Sequence, residues 1–194
     1  MDAAHWDERY DASDRLWSAT PNIFVEDRLK DREPGRGLDV AAGEGRNAVW
    51  LSSLGWKMTA VDFSSVALAR GAEQDDQVVW VEADVTEWEP SSGFDLVLVA
   101  YLHLVPPVFQ EVVSHAATWL DPGGELFLVG HDRTNIEHGW GGPQYPDVLW
   151  DRDEIVSWLG GLAVVESIVA RRPVETDHGT EYARDTLVRA RRPG

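Results

Sequence analysis

Between residues 38 and 130 the chain alternates short apolar runs with helical segments, and this alternation limits its fold more than any other feature. Leu38–Ala42, Met58–Val61, Val78–Val81, Phe94–Ala100 and Glu125–Gly130 have strand length and lack the regular in–out polarity of a half-solvated sheet. Arg46–Leu54, Ser64–Glu73 and Pro106–Leu120 read as the intervening helices. Gly55 closes the first, Ser64 suits the cap of the second, and Asp121-Pro122-Gly123-Gly124 ends the third as a turn. Strands that are apolar on both sides need cover on both faces. The pattern therefore predicts an α/β fold: a doubly wound, seven-stranded, mostly parallel sheet with helices on both faces. Helices over Ala3–Asp11 and Asn22–Lys30 precede it, and the breaker Arg32–Gly37 intervenes. A Gly/Pro/Trp-rich loop, His131–Trp150, leads to a helix over Asp153–Leu159 and strands over Leu162–Ala170 and Asp185–Arg191. A polar loop with no helix joins those two strands, so they read as an antiparallel hairpin at the sheet edge, the last strand antiparallel.

A length of 194 residues without repeats or low-complexity linkers fits one domain. Within it we expect a helical lid over residues 1–33, a core over 34–131, a substrate-side loop over 132–150, and a C-terminal helix and hairpin over 151–194. The formal charge of −17 disfavours phosphate backbones and anionic bilayers, so neither nucleic acid nor membrane is an expected partner. The absence of cysteine excludes disulfides, thiolate metal sites and a cysteine nucleophile. The start carries no basic-then-apolar leader, which points to the cytoplasm, and the chain is expected to act as a monomer or homodimer. Ten tryptophans are an unexplained surplus at this level.

The chemistry begins at Gly37-Leu38-Asp39-Val40-Ala41-Ala42-Gly43-Glu44-Gly45-Arg46-Asn47-Ala48, where a strand runs through Gly43-x-Gly45 into a helix. Glycines at such a turn let backbone N–H groups and the helix N-terminus approach a ligand closely, although a tight βα turn without a ligand has the same signature. Asp62 ends the next strand nineteen residues after Gly43, placed to accept from ribose hydroxyls, and Asp84 follows the third strand. Three successive strand ends thus point to an adenosine-containing cofactor. A dinucleotide is disfavoured: the chain has two lysines, Lys30 and Lys57, and neither stands in a Tyr-x-x-x-Lys spacing. From Glu73 through Asp95 there are eight acids and no Lys or Arg, a field suited to a cationic cofactor.

In order along the chain, Leu38–Asn47, Val61–Ser64, Ala83–Val85, Phe94–His103 and Leu120–Gly124 resemble the five motifs of the class I S-adenosylmethionine-dependent methyltransferases. That resemblance implies S-adenosyl-L-methionine as cofactor and S-adenosyl-L-homocysteine as product. It implies a cofactor site of Asp39, Ala41, Gly43, Gly45, Arg46, Asn47, Asp62, Phe63, Ser64, Asp84, Val85 and Ala100. Ala41 departs from the pattern, standing where the first glycine of G-x-G-x-G is usual. The N-terminal Trp6-Asp7-Glu8-Arg9-Tyr10 and Leu16–Asn22 are similar to small bacterial tellurite-resistance-type and thiopurine-methyltransferase-like relatives. That similarity implies Tyr10, Trp17 and Asn22 at the methionine end, although Trp6 and Trp17 read equally as core anchors.

Methyl transfer from a sulfonium needs alignment and exclusion of water, and a base only where the nucleophile arrives protonated. His103, just past the fourth strand, and His131, after the fifth and followed by Asp132, are the candidate bases; loop or capping roles are the alternatives. Trp6, Tyr101, Trp140 and Tyr145 are candidates for contact with the acceptor, the last two on the Gly139–Pro146 loop, which resembles a substrate lid. No metal site is expected, because His131-x6-His138 lacks a helical ligand spacing. The C-terminal arginines read mainly as edge-strand charges, with Arg172 or Arg184 open to an anionic substrate. The expected activity is methylation of a small-molecule thiol, chalcogen, or heteroaromatic nitrogen or oxygen. The alternatives are a small NAD(P)-dependent reductase and a catalytically silent binder of the same cofactor.

Overall fold

The first strand, β1 (Arg36–Val40), is buried from Gly37 onward, as a strand covered on both faces must be. The structure is a computed structural model and describes residues 3–12 and 18–194, so Leu16 and Trp17 lie outside the described residues. It falls into two compact units, Met1–Leu98 and Val99–Gly194.

In the first unit β1, β2 (Lys57–Asp62) and β3 (Val79–Glu82) pair in parallel, with Leu38 opposite Thr59 and Thr59 opposite Val79. The helices α3 (Arg46–Ser53) and α4 (Ser65–Gln74) make the crossovers. Leu38, Val40, Leu51, Met58, Ala60, Val61 and Ala67 form the buried centre. Before them lie α1 (Ala3–Asp11) and α2 (Ile23–Leu29); Asn22 caps α2 through its Oδ1, which accepts from the N–H groups of Phe24 and Val25. The fourth strand, β4 (Phe94–Ala100), carries the boundary between the units.

The second unit contains α5 (Pro106–Thr118), β5 (Leu120–His131), a short α6 (Asn135–His138), α7 (Arg152–Trp158), β6 (Ala163–Thr176) and β7 (Gly179–Arg191). Its apolar centre includes Phe109, Val113, Leu126, Phe127, Leu128, Trp150, Ile155 and Leu187. The strand β7 runs antiparallel to both β5 and β6. The sheet has seven strands in the order β3-β2-β1-β4-β5-β7-β6, so the predicted doubly wound sheet with an antiparallel last strand is the observed one.

Two local expectations are corrected. The polar stretch between the last strands is not a loop: β6 and β7 continue as a ribbon of 14 and 13 residues closed at Asp177 and His178. Backbone pairing sustains it where hydrophobic alternation fails, and Pro173 is tolerated because β6 is an edge strand. Asp121–Gly124 is not a free turn but the start of β5, since Gly123 N–H donates to Arg192 O at 3.0 Å and Arg192 N–H to Gly124 O at 2.9 Å. Among the described residues, no helix is long and apolar enough to cross a membrane.

Candidate active site

Beyond β1 the first unit turns through three left-handed residues, Ala41 (φ 55°), Gly43 (φ 57°) and Gly45 (φ 71°). Glycine adopts this conformation freely, whereas Ala41 holds a Cβ there at a cost of about 1–2 kcal/mol. The end of β2 fixes the turn: Ala42 N–H donates to Val61 O at 3.0 Å, and Gly43 N–H to Asp62 Oδ2 at 2.8 Å. The other oxygen of Asp62 accepts from Ser64 N–H at 2.9 Å. Ser64 Oγ in turn caps α4 through Ala67 N–H and donates to Asp7 Oδ1 at 2.6 Å, which ties α1 to the same corner. Gly45 offers α3 no side-chain cap, while the Ala48 N–H of its first turn is engaged by the Asp39 carboxyl; a helix start of this kind favours an anion.

The electrostatics suit a cation. Asp39 is buried, and its Oδ2 has no hydrogen-bond partner among the described residues. Burial pushes the Asp39 carboxyl up to about 7 against the opposing pull of the Arg46 charge and the Ala48 N–H. Burial also raises Asp62, opposed by the N–H groups of Ser64, Gly43 and Phe63. An orphaned carboxylate oxygen, a turn open to close backbone approach and an uncapped helix start fit the sulfonium and amino-acid end of S-adenosylmethionine.

The remaining sequence-predicted residues of this unit take varied positions. Arg46 Nη1 donates to Ser18 Oγ at 2.8 Å, and Asn47 Oδ1 accepts from Asn22 N–H at 2.9 Å. The side-chain oxygen of Asn22 is engaged in its helix cap. Tyr10 is buried with its ring 6.1 Å from that of Trp6, over which the Arg9 guanidinium sits at 4.5 Å. Val85 is buried, while Asp84 is exposed and accepts from Thr86 N–H at 2.9 Å and Thr86 Oγ1 at 2.7 Å. Phe63 is half-buried beside Asp62.

In the second unit the carboxyl ends of β4 and β5 bring Tyr101, His103 and His131 together. Ala100 is the last residue of β4, and Tyr101 follows it at φ 58°, a strained conformation for a tyrosine. Its hydroxyl donates to Asp185 Oδ2 at 2.7 Å and accepts from Arg172 Nε at 3.0 Å. Arg172 Nε also reaches Asp185 Oδ2 at 2.7 Å, and His131 Nδ1 lies 3.1 Å from Asp185 Oδ1. Burial works against the Asp185 charge, but His131, Arg172 and Tyr101 outweigh it and hold the carboxyl below its ordinary range. His103 stacks on His131 with centroids 5.5 Å apart and donates from Nδ1 to Val148 O at 3.1 Å. Burial brings His103 down to about 4, against the pull of that carbonyl, so the ring is neutral near pH 7. Trp150 supports the cluster, donating from its indole N–H to Leu102 O at 3.0 Å.

Asp132 does not orient His131, as the sequence had suggested. Its oxygens accept from Thr134 and from Thr186 Oγ1, a structural role. Asp185 lies beside His131 instead, brought there by the antiparallel register of β5 and β7 that sets the two residues opposite each other. The lid candidates Trp140 and Tyr145 are 45% and 74% exposed. Gly142 of the same loop approaches the cluster: an added Cβ would meet the His131 ring at 2.9 Å. Among the described residues no group of three or more His, Asp or Glu is arranged to hold a metal.

A family model for a methyltransferase domain matches residues 38–124. The fold is similar to N-methyltransferase NodS from Bradyrhizobium japonicum WM9 in complex with S-adenosyl-L-homocysteine (19% identity, TM-score 0.75, all of both chains). It is also similar to TehB from Haemophilus influenzae (16%, 0.75, 98% of this chain and 66% of that one). A structure described for conversion of a disulfide bond into a thioacetal group during echinomycin biosynthesis gives 17% and 0.77, over 98% of this chain and 91% of that one. Comparison with curated proteins gave no sequence match. The methyltransferase-domain match sets the nicotinamide-reductase alternative aside. Residues 38–124, which span the first four strands, thus match a methyltransferase domain, in a chain whose fold is similar to those of solved methyltransferases.

Proposed function

We propose that the chain methylates a small-molecule thiol, chalcogen, or heteroaromatic nitrogen or oxygen, with His131 as general base and Asp185 as the carboxylate whose charge supports it. The observation that carries this reading is the approach of His131 Nδ1 to Asp185 Oδ1 at 3.1 Å. His131 Nδ1 and Asp185 Oδ1 are within ion-pair distance without an aligned hydrogen bond, so Asp185 acts through its charge, stabilising the imidazolium that forms when Nε2 takes the nucleophile's proton. His103 is too weak a base at about 4 to share this work and acts as a neutral hydrogen-bond acceptor through Nε2. When bound, the cofactor supplies an electrophilic methyl on a sulfonium. Asp39, the Ala41–Gly45 turn, Arg46 and Asn47 hold its methionine end, Asp62 its ribose, and Asp84 with Val85 its adenine. Trp6, Tyr10 and Asn22 serve the N-terminal side, and the loop that carries Trp140 and Tyr145 approaches the His131 ring at Gly142.

The test is methyl transfer from labelled S-adenosylmethionine to a panel of thiols, phenols, heteroaromatic amines and chalcogen oxyanions, with wild type and His131→Asn. Turnover that falls on substitution while cofactor affinity stays constant supports the assignment. Equal turnover in both proteins rejects the base.

A further inference from the structure

We propose that the acceptor carries an acidic group, a carboxylate or similar oxyanion, recognised by the outer edge of Arg172; this rests on the reading of the His131 cluster as the acceptor site. Arg172 uses only Nε inside the protein, for Tyr101 Oη at 3.0 Å and Asp185 Oδ2 at 2.7 Å. Neither Nη1 nor Nη2 hydrogen-bonds any described residue, although the side chain is only 23% exposed. Four N–H donors in one plane are thus left on a half-buried guanidinium.

That plane is fixed. Tyr101 and Asp185 grip the Nε side, and the Tyr101 ring lies 5.6 Å from the guanidinium carbon. Tyr101 reaches this place from a left-handed backbone, and Asp185 is wholly buried. A clamp already held in one orientation loses little entropy when it binds, and two parallel N–H donors match a planar carboxylate better than any neutral group. The register puts Ala170, Val174, Ala183 and Glu181 on the same face of the ribbon; among the described residues Glu181 forms no ion pair with Arg172. Asp185, its one anionic partner, already accepts from Tyr101 and faces His131. Proton transfer to His131 adds a second cation to the cluster, so an acidic substituent is favoured more as the reaction proceeds. A metal bridging the two histidines is a poorer use of the site, because rings only 10° from parallel do not aim their lone pairs at one point.

The test compares benzoate with benzamide as calorimetric probes at matched ionic strength, and thiosalicylate with thiophenol as acceptors. Wild type should bind benzoate about tenfold more tightly than benzamide and prefer thiosalicylate by a similar factor in kcat/KM. Arg172→Gln, with its melting temperature measured, should lose both preferences; Arg172→Lys, which keeps the charge, should retain part of each. If Arg172→Gln fails to fold, the wild-type comparison and Arg172→Lys carry the test. Equal affinity for benzoate and benzamide in wild type, or a preference that survives Arg172→Gln, overturns the proposal. Arg172-dependent benzoate binding without methylation of any acceptor leaves it standing and rejects the base assignment. Equal methylation of thiosalicylate and thiophenol, unaffected at Arg172, does the reverse.

Discussion

Asp62 Oδ2 accepts a hydrogen bond from Gly43 N–H at 2.8 Å, locking the end of β2 to the turn that follows β1. One carboxylate therefore shapes the Ala41–Gly45 turn as well as terminating its strand. Its second oxygen reaches Ser64 N–H, and Ser64 reaches Asp7, so the turn, α4 and α1 are joined by one polar chain. The predictions below begin at that turn and end at the His131 cluster.

Ala41→Gly should stabilise the protein. Releasing Ala41 from φ 55° recovers about 1–2 kcal/mol, and the added freedom of the unfolded chain returns roughly half of that. A net gain of up to about 1 kcal/mol is expected in urea unfolding, with cofactor affinity equal or higher. A loss of stability would show that the methyl makes a packing contact worth more than the strain.

Asp39 should make cofactor binding depend on pH. Its folded-state pKa of about 7 lies above the ordinary 3.8. Its contribution to apo stability is therefore fully present below about pH 4 and lost as pH rises through about 7. A cation reverses that cost by favouring the carboxylate, so S-adenosylmethionine should bind more tightly at pH 8 than at pH 6, with proton uptake by buffer. Asp39→Asn should raise the apo melting temperature at pH 8 and flatten this dependence. Calorimetry in buffers of different ionisation heat reads both effects.

Gly45→Ala should be severe for a reason unrelated to ligand. The added Cβ would lie 2.2 Å from the Trp80 ring, at φ 71°. Overpacking and a left-handed Cβ together cost about 2–4 kcal/mol. Adding Trp80→Ala should restore the overpacking part and leave the backbone part. A double-mutant cycle with no coupling would contradict the contact.

Asp185→Asn should lower kcat by about a hundredfold with a smaller change in KM, since it removes the charge that supports His131. It should also destabilise the fold by about 3 kcal/mol by leaving Arg172 without its buried partner. The depressed pKa of Asp185 means its stabilising contribution is present above about pH 4 and is lost as pH falls through the lower folded value. The stability difference between wild type and Asp185→Asn should therefore be full near neutral pH and shrink as pH falls below about 4.

The strand ends were legible because periodicity and glycine placement are local. Leu38–Ala42 reads as a buried strand and Gly43-x-Gly45 as a ligand turn from a dozen residues, and Asp62 follows at a fixed interval. The proximity of His131 to Asp185 was only half legible. His131 stood out after its strand, but Asp185 is fifty-four positions on and reaches it only through the β5–β7 register. The ribbon over residues 171–184 escaped notice because its charged residues mask the alternation that marks a half-buried strand. Asn22 reads in the sequence as the first residue of its helix, and the structure makes it the cap, its oxygen accepting from the N–H groups of Phe24 and Val25.

The account rests most directly on the pH dependence of kcat for methyl transfer in wild type and His131→Asn, measured with the most active acceptor of the panel. It predicts an acidic limb in wild type that disappears in His131→Asn, together with a fall in rate of about 10²–10⁴. An unchanged rate and an unchanged profile would contradict it.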